Sequence, residues 1–153
     1  MMAEMTDVGS LYRQHAGELI RYATVLVGPD DAGEVVSDAV LGAARVNWAD
    51  VDNPRAYLFR CVHNAAMTHR RSALRRLARD RAAVGAAAVP PADPSVDALR
   101  ALEVLSTQQR AVVYLTYWED MTPAAIADSL GVGEGTVRKQ LARAREQLRT
   151  VLS

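Results

Sequence analysis

The sequence has one cysteine in 153 residues, Cys61, which excludes an internal disulfide and the paired-thiolate spacing of a zinc motif. Cys61 is expected to be a small core residue. The three histidines, His15, His63 and His69, form no i, i+4 pair, and His63 and His69 are expected to face water or nucleic acid, with no metal site. No glycine-rich loop of the phosphate-cradling kind is present. No nucleophile stands with a base and an orienting acid, so an enzyme is not expected, nor a cofactor, nor a small-molecule substrate. No apolar run approaches the roughly 20 residues of a membrane helix. Met1 to Asp7 carries two acids and no basic cluster, unlike a signal peptide, and a cytoplasmic location is expected.

Net charge is also missing, since 18 Lys and Arg balance 18 Asp and Glu. The balance hides segregation. Residues 1–52 hold nine acids and three bases, and residues 53–83 hold eight arginines and one acid. Residues 84–128 are acidic again, with six acids and two bases, and residues 129–153 carry two acids and five bases. Two basic blocks alternating with two acidic ones fit a polyanion on some faces and other partners elsewhere. Two solvated helix faces would give the same pattern.

What is present reads as helix. Residues 8–27 place Val8, Leu11, Tyr12, Leu19, Tyr22, Ala23 and Leu26 near a 3.6 period. "GPDD" breaks this helix with glycine, and an aspartate is placed to cap the next. Residues 31–46 carry a second stripe, Ala32, Val35, Val36, Ala39, Val40 and Ala43. After the loop "NWADVDNP", Asn53 reads as an N-cap and Pro54 as the first position of a helix to about Ala83. The stretch "VGAAAVPPADPSV", residues 84–96, has no helical period and reads as an extended linker. A domain boundary belongs there, between residues 1–83 and 97–153.

Past the linker a helix is expected near residues 97–105. "STQQ", Ser106 to Gln109, is a capping box, which favours helix over strand for "AVVYLTYW". Thr122 and Pro123 open another helix, Gly131 ends it, and a last helix runs from Glu134 or Gly135 to Val151. The expected fold class is all-α, two small helical domains.

"TPAAIADSLGVGEGTVRKQLARA" is thus a helix, a glycine-containing turn and a second helix, the helix-turn-helix pattern. Ile126, Leu130, Val132, Val137 and Leu141 would lock the pair. Thr136, Lys139, Gln140 and Arg143 then share one face at i, i+3, i+4 and i+7. In a major groove glutamine reads adenine, and arginine or lysine reads guanine. Arg138, Arg145 and Arg149 are better placed for phosphates. Helix pairs with a glycine turn also occur without DNA.

The segment "LEVLSTQQRAVVYLTYWEDMTPAAIADSLGVGEGTVRKQLARAREQLR" resembles the region-four domain of sigma-70-family factors, in the extracytoplasmic-function group. "DDAGEVVSDAVLGAAR" and "NPRAYLFRCVHNAAMTHRR" resemble region two of the same group. The resemblance implies a sigma factor that binds core RNA polymerase, recognises −35 and −10 promoter elements and promotes melting. It assigns the −35 contact to the last helix and the −10 contact to the helix after Pro54 and the loop before it. The −10 set is Trp48, Asn53, Arg60, His63, Asn64, Met67 and Arg71, with Trp48 and Tyr57 able either to stack on bases or to fill the core. The helix from Asp31 would dock on the β′ clamp helices of the polymerase through Glu34, Ser37, Asp38, Leu41 and Arg45, and the β flap is a further docking partner. An anti-sigma factor is a regulator known in the group. Ser37, Val40 and Gly42 depart from the residues usual there. A stand-alone helix-turn-helix regulator and a sigma-like decoy for a regulatory protein are the alternatives.

Overall fold

The computed structural model describes residues 7–83 and 101–152, without the side chains of residues 80–83 and 152. Six helices and one short 3-10 turn are bounded within the described residues, and no strand occurs among them. In chain order they are α1 (Val8–Val27), α2 (Ala32–Ala43), the turn Trp48–Asp50, α3 (Pro54–Ala83), α4 (Thr107–Tyr117), α5 (Pro123–Leu130) and α6 (Glu134–Leu152). The expected linker and most of the helix placed at residues 97–105 lie outside the described residues. Ala101 and Leu102 are helical, and the chain then turns through residues 103–105.

Local chemistry sets the helix ends. Asp7 accepts from the Ser10 amide at 2.7 Å, and Asn53 from the Ala56 amide at 3.1 Å. Ser106 and Gln109 form the reciprocal capping box, each accepting the other's backbone N–H at 3.1 Å. Thr122 caps α5 ahead of Pro123. Gly131 ends α5 with φ of 69°, a left-handed conformation that glycine enters without the Cβ penalty. Two ends differ from the sequence reading. Helix α2 stops at Ala43 rather than 46, because the chain tightens into i→i+3 bonds, Ala44 N–H to Leu41 and Val46 N–H to Ala43. Asp31 holds the N-cap position of α2 but makes no capping bond.

Helices α1, α2 and α3 pack on one another, as do α4, α5 and α6. One apolar core runs through both groups. It joins Leu19, Tyr22, Val35 and Phe59 of the first group to Val112, Tyr114 and Ile126 of the second. Tyr22 meets Phe59 edge-on at 5.1 Å and lies 5.5 Å from Tyr114. The halves therefore touch along α1–α4 and α3–α5.

Buried and half-buried polar groups reinforce that contact. Arg110 is 6% exposed and donates to the carbonyls of Leu26 at 3.1 Å, Leu105 at 3.2 Å and Glu103 at 3.4 Å. The Leu26 carbonyl belongs to the last turn of α1, whose C-terminal carbonyls have no helical partner and carry partial negative charge. Burial, and then the neighbouring Arg70, lowers the Arg110 pKa. Arg55 bridges Glu18 of α1 at 2.8 Å and Glu119, after α4, at 2.7 Å. Glu119 also accepts from the Tyr114 hydroxyl at 2.7 Å, and burial together with that bond pushes the Tyr114 pKa up to about 12.

Candidate nucleic-acid and polymerase interfaces

The C-terminal helix pair places its side chains as the period dictates. Val137 and Ala144 of α6 are buried, and Leu141 and Leu148 are partly buried against α4 and the segment before it. Ile126 and Leu130 of α5 close the same core. On the opposite side Thr136, Lys139 and Arg143 are exposed. Among the described residues, Lys139 and Arg143 enter no ion pair.

Three other members of this set are engaged. The Gln140 amide exchanges hydrogen bonds with Gln109 at 3.2 Å and Gln108 at 3.5 Å, so it leans toward α4. Arg138 pairs with Glu134 one turn earlier. Arg145 donates to the Tyr117 hydroxyl at 2.7 Å. An exposed ion pair such as Arg138–Glu134 is weak, and a phosphate competes readily with it and with the neutral Tyr117 hydroxyl. The open part of the face is therefore narrower than the sequence implied: two cations and a hydroxyl, with Gln140 at its edge.

Helix α3 divides its residues differently. Asn53, Arg60, Asn64 and Arg71 are exposed and Met67 is partly buried. Two expected −10 residues are corrected. Trp48 is 6% exposed and packs edge-on against Tyr57 at 5.4 Å, so it fills the core and does not present its face to bases. His63 is also 6% exposed, and burial lowers its pKa to about 4. It is a neutral core histidine at neutral pH rather than part of a cationic face. The reasons differ: His63 lies where α3 packs on the rest of the bundle, on a side that the weak hydrophobic period of α3 does not mark, and Trp48 lies in the turn before α3, which folds back onto Tyr57. His69, likewise expected in solvent, is buried.

Arg60 is exposed but not clear of the protein. Its guanidinium lies against Gly131 in the turn between α5 and α6, where an added Cβ would come within 2.9 Å of it. Arg55, which the sequence reading did not single out, forms the two ion pairs described above and lies 5.0 Å from the Phe59 ring. No local pattern marks the seam role of Arg55 or Arg110, because the partners that cross the seam lie 37 to 84 residues away.

On α2 the stripe Glu34, Ser37, Asp38 and Leu41 is exposed throughout, and Arg45, in the turn past its end, is exposed as well. Leu41 is 72% exposed, the most open large apolar side chain among the described residues. A shallow cavity of about 350 Å³ beside it is lined by Tyr12, Val36, Ser37 and Val40.

Two family descriptions match this architecture, "Sigma-70 region 2" over residues 11–76 and "Sigma-70, region 4" over residues 95–148. The chain is 34% identical to the ECF RNA polymerase sigma factor SigL of Mycobacterium tuberculosis, covering 98% of this chain and 91% of that one. It belongs to the sigma-70 family, in the extracytoplasmic-function group. The RNA polymerase sigma-E factor of Streptomyces coelicolor is 30% identical, with 99% of this chain and 89% of the relative covered. Among solved structures, the sigma factor RpoE of Bartonella quintana, in complex with the anti-sigma factor NepR, superimposes with a TM-score of 0.73 at 25% identity. That match covers 94% of this chain and 95% of the other. CnrH, in complex with the cytosolic domain of CnrY, superimposes with a TM-score of 0.63 at 27% identity over 95% of this chain and 86% of that one. As an extracytoplasmic-function sigma factor, the protein binds RNA polymerase and promoter DNA to initiate transcription. The region-two match falls within α1 to α3, and the region-four match takes in α4, α5 and most of α6. No helix of the described residues is long and apolar enough to cross a membrane.

Proposed function

We propose that this sigma factor divides its work among three surfaces. Helix α6 enters the major groove at −35 with Thr136, Lys139 and Arg143, while Gln140 releases its bonds to α4 to join them. Arg138 and Arg145 exchange their partners on the protein for phosphates. Helix α3 takes the −10 element with Arg60, Asn64, Met67 and Arg71, and Asn53 holds the loop before it. Helix α2 docks on the β′ clamp helices of the polymerase around Leu41, with region four on the β flap. The protein acts as a non-catalytic specificity subunit in the cytoplasm, as two units joined through residues 84–96. An anti-sigma factor is the regulator this group would supply.

The observation that carries this reading is the exposed face of α6, backed by Val137 and Ala144 in the core. Cations placed there by packing, without acidic partners, are positioned for a polyanion. The contact between Arg60 and Gly131 adds a requirement: the Arg60 guanidinium leaves Gly131 before it engages DNA. A stand-alone regulator would need neither the region-two helices nor the leucine-centred stripe of α2.

Run-off transcription with core polymerase, with and without the protein, tests the reading, and promoter-specific product is expected only in its presence. Leu41→Glu places a charge in the docking contact and is expected to weaken core binding by about 2 kcal/mol. Unchanged core affinity in a folded Leu41→Glu variant would remove α2 as the docking face. Core binding without promoter-specific product would point to a decoy.

A further inference from the structure

Between α2 and α3 lies a groove of about 650 Å³, lined in part by Glu34, Asp38, Asn64, Thr68, His69 and Ser72. Near the start of α2 three side chains with metal-binding chemistry meet, of which Glu34 and His69 line the groove. Asp31, Glu34 and His69 each present one ligand atom, and these atoms lie within 4.8 Å of one another. The sequence shows no metal spacing because the carboxylates come from one helix and the imidazole from another.

Two further observations separate this cluster from a chance meeting of charges. The His69 side chain is only 7% exposed, and its buried Nε2 lies 3.2 Å from Asp31 Oδ2 without hydrogen-bond geometry to any described group. A buried ring nitrogen left without a proper partner is costly and is uncommon in folded proteins. Asp31, for its part, sits at the N-cap of α2, where an aspartate ordinarily accepts a backbone N–H. It makes no such bond and approaches His69 instead.

We propose that Asp31, Glu34 and His69 form a site for a divalent transition-metal ion, zinc foremost, that clamps the start of α2 to α3. Zinc takes imidazole nitrogen and carboxylate oxygen at about 2.0–2.2 Å. A nitrogen and an oxygen 3.2 Å apart sit at a separation that two ligands of one such ion adopt. Magnesium and calcium favour all-oxygen shells, so the imidazole selects against them. The groove leaves one side open, where water completes the coordination. The bound ion ties the polymerase-docking helix to the helix assigned to the −10 element.

The test is zinc titration of the untagged, chelator-stripped full chain against a chromophoric chelator. One equivalent is expected to bind. His69→Gln and Asp31→Asn are each expected to raise the apparent Kd at least about tenfold, and Glu34→Gln to raise it as well. Zinc is expected to raise the melting temperature of the parent protein but not of His69→Gln. His15→Ala, whose imidazole lies beside Glu18 on α1, and Cys61→Ser, on another wall of the groove, are expected to leave affinity unchanged. Circular dichroism checks that each variant is folded. If His69→Gln fails to fold, the exposed Glu34→Gln carries the test. Absence of stoichiometric binding, or binding indifferent to both His69→Gln and Glu34→Gln, would overturn the site and leave Asp31 and His69 as an ion pair. Loss of zinc in Cys61→Ser alone would overturn it too.

Discussion

On α6 the cations stand away from the core, whereas on α3 the first two are drawn into contact with the other half of the molecule. Lys139 and Arg143 lie exposed opposite Val137 and Ala144, with no ion pair among the described residues, while Arg55 bridges two glutamates and Arg60 covers Gly131. Beyond Arg60 the basic character of α3 resumes in the open, with Arg71, Arg75, Arg76 and Arg79 all exposed. The two blocks look alike as composition. They differ because α6 packs mainly within its own three-helix group, and α3 runs along the seam between two groups. Basic charge marks a helix for a polyanion only where its neighbours leave it free.

The largest effect that would break this comparison is expected at the seam. Arg110→Met leaves three carbonyls without their donor and should cost about 3–5 kcal/mol in urea denaturation, in the range for removing one partner of a buried polar set. A loss below about 1 kcal/mol would mean that the halves hold together without it.

The next effect concerns His63 and acid. Its pKa is about 4 when folded, below the ordinary value of 6.5, because burial disfavours the charged form. The unfolded chain takes up that proton first, so the His63 contribution is complete above about pH 6.5 and is lost as pH falls toward 4. His63→Leu should therefore flatten the stability profile between those limits by about 3 kcal/mol relative to the parent. Equal slopes in both proteins would return His63 to the exposed face of α3.

A smaller effect sharpens the α6 side. Arg143→Ala should cost about 1–3 kcal/mol at one −35 base pair and relax preference there. Arg149→Ala should weaken all sequences alike and reduce the salt slope by about one. Binding of the full chain, with core polymerase, to a randomised −35 library at two salt concentrations separates the outcomes, and uniform losses in both would place α6 outside the groove.

The smallest effect lies at the turn. Gly131→Ala should cost about 1–2 kcal/mol, since alanine is strained at this φ and its Cβ meets Arg60. Gly135→Ala, with nothing within 4 Å of the new Cβ, should change stability by less than about 1 kcal/mol. Thermal melts of the two variants give the contrast directly.

The sequence alone determined the six helices, most of their ends and the open side of α6. Those features rest on local rules: a 3.6-residue period, hydroxyl and carboxamide caps, proline at a first turn, glycine at a left-handed stop. It also placed Leu41 opposite the apolar stripe of α2, and the structure leaves that residue exposed. Only the tertiary structure decided which polar residues of α3 are buried. His63 went to the core and His69 to Asp31, because α3 is covered by α1, α2 and α5 at once and its own period is too weak to say where, and Trp48, in the turn before α3, was drawn in against Tyr57. The tertiary structure likewise decided that Arg110, Arg55 and Arg60 serve the seam, since a cation's role is set by the groups that folding brings beside it.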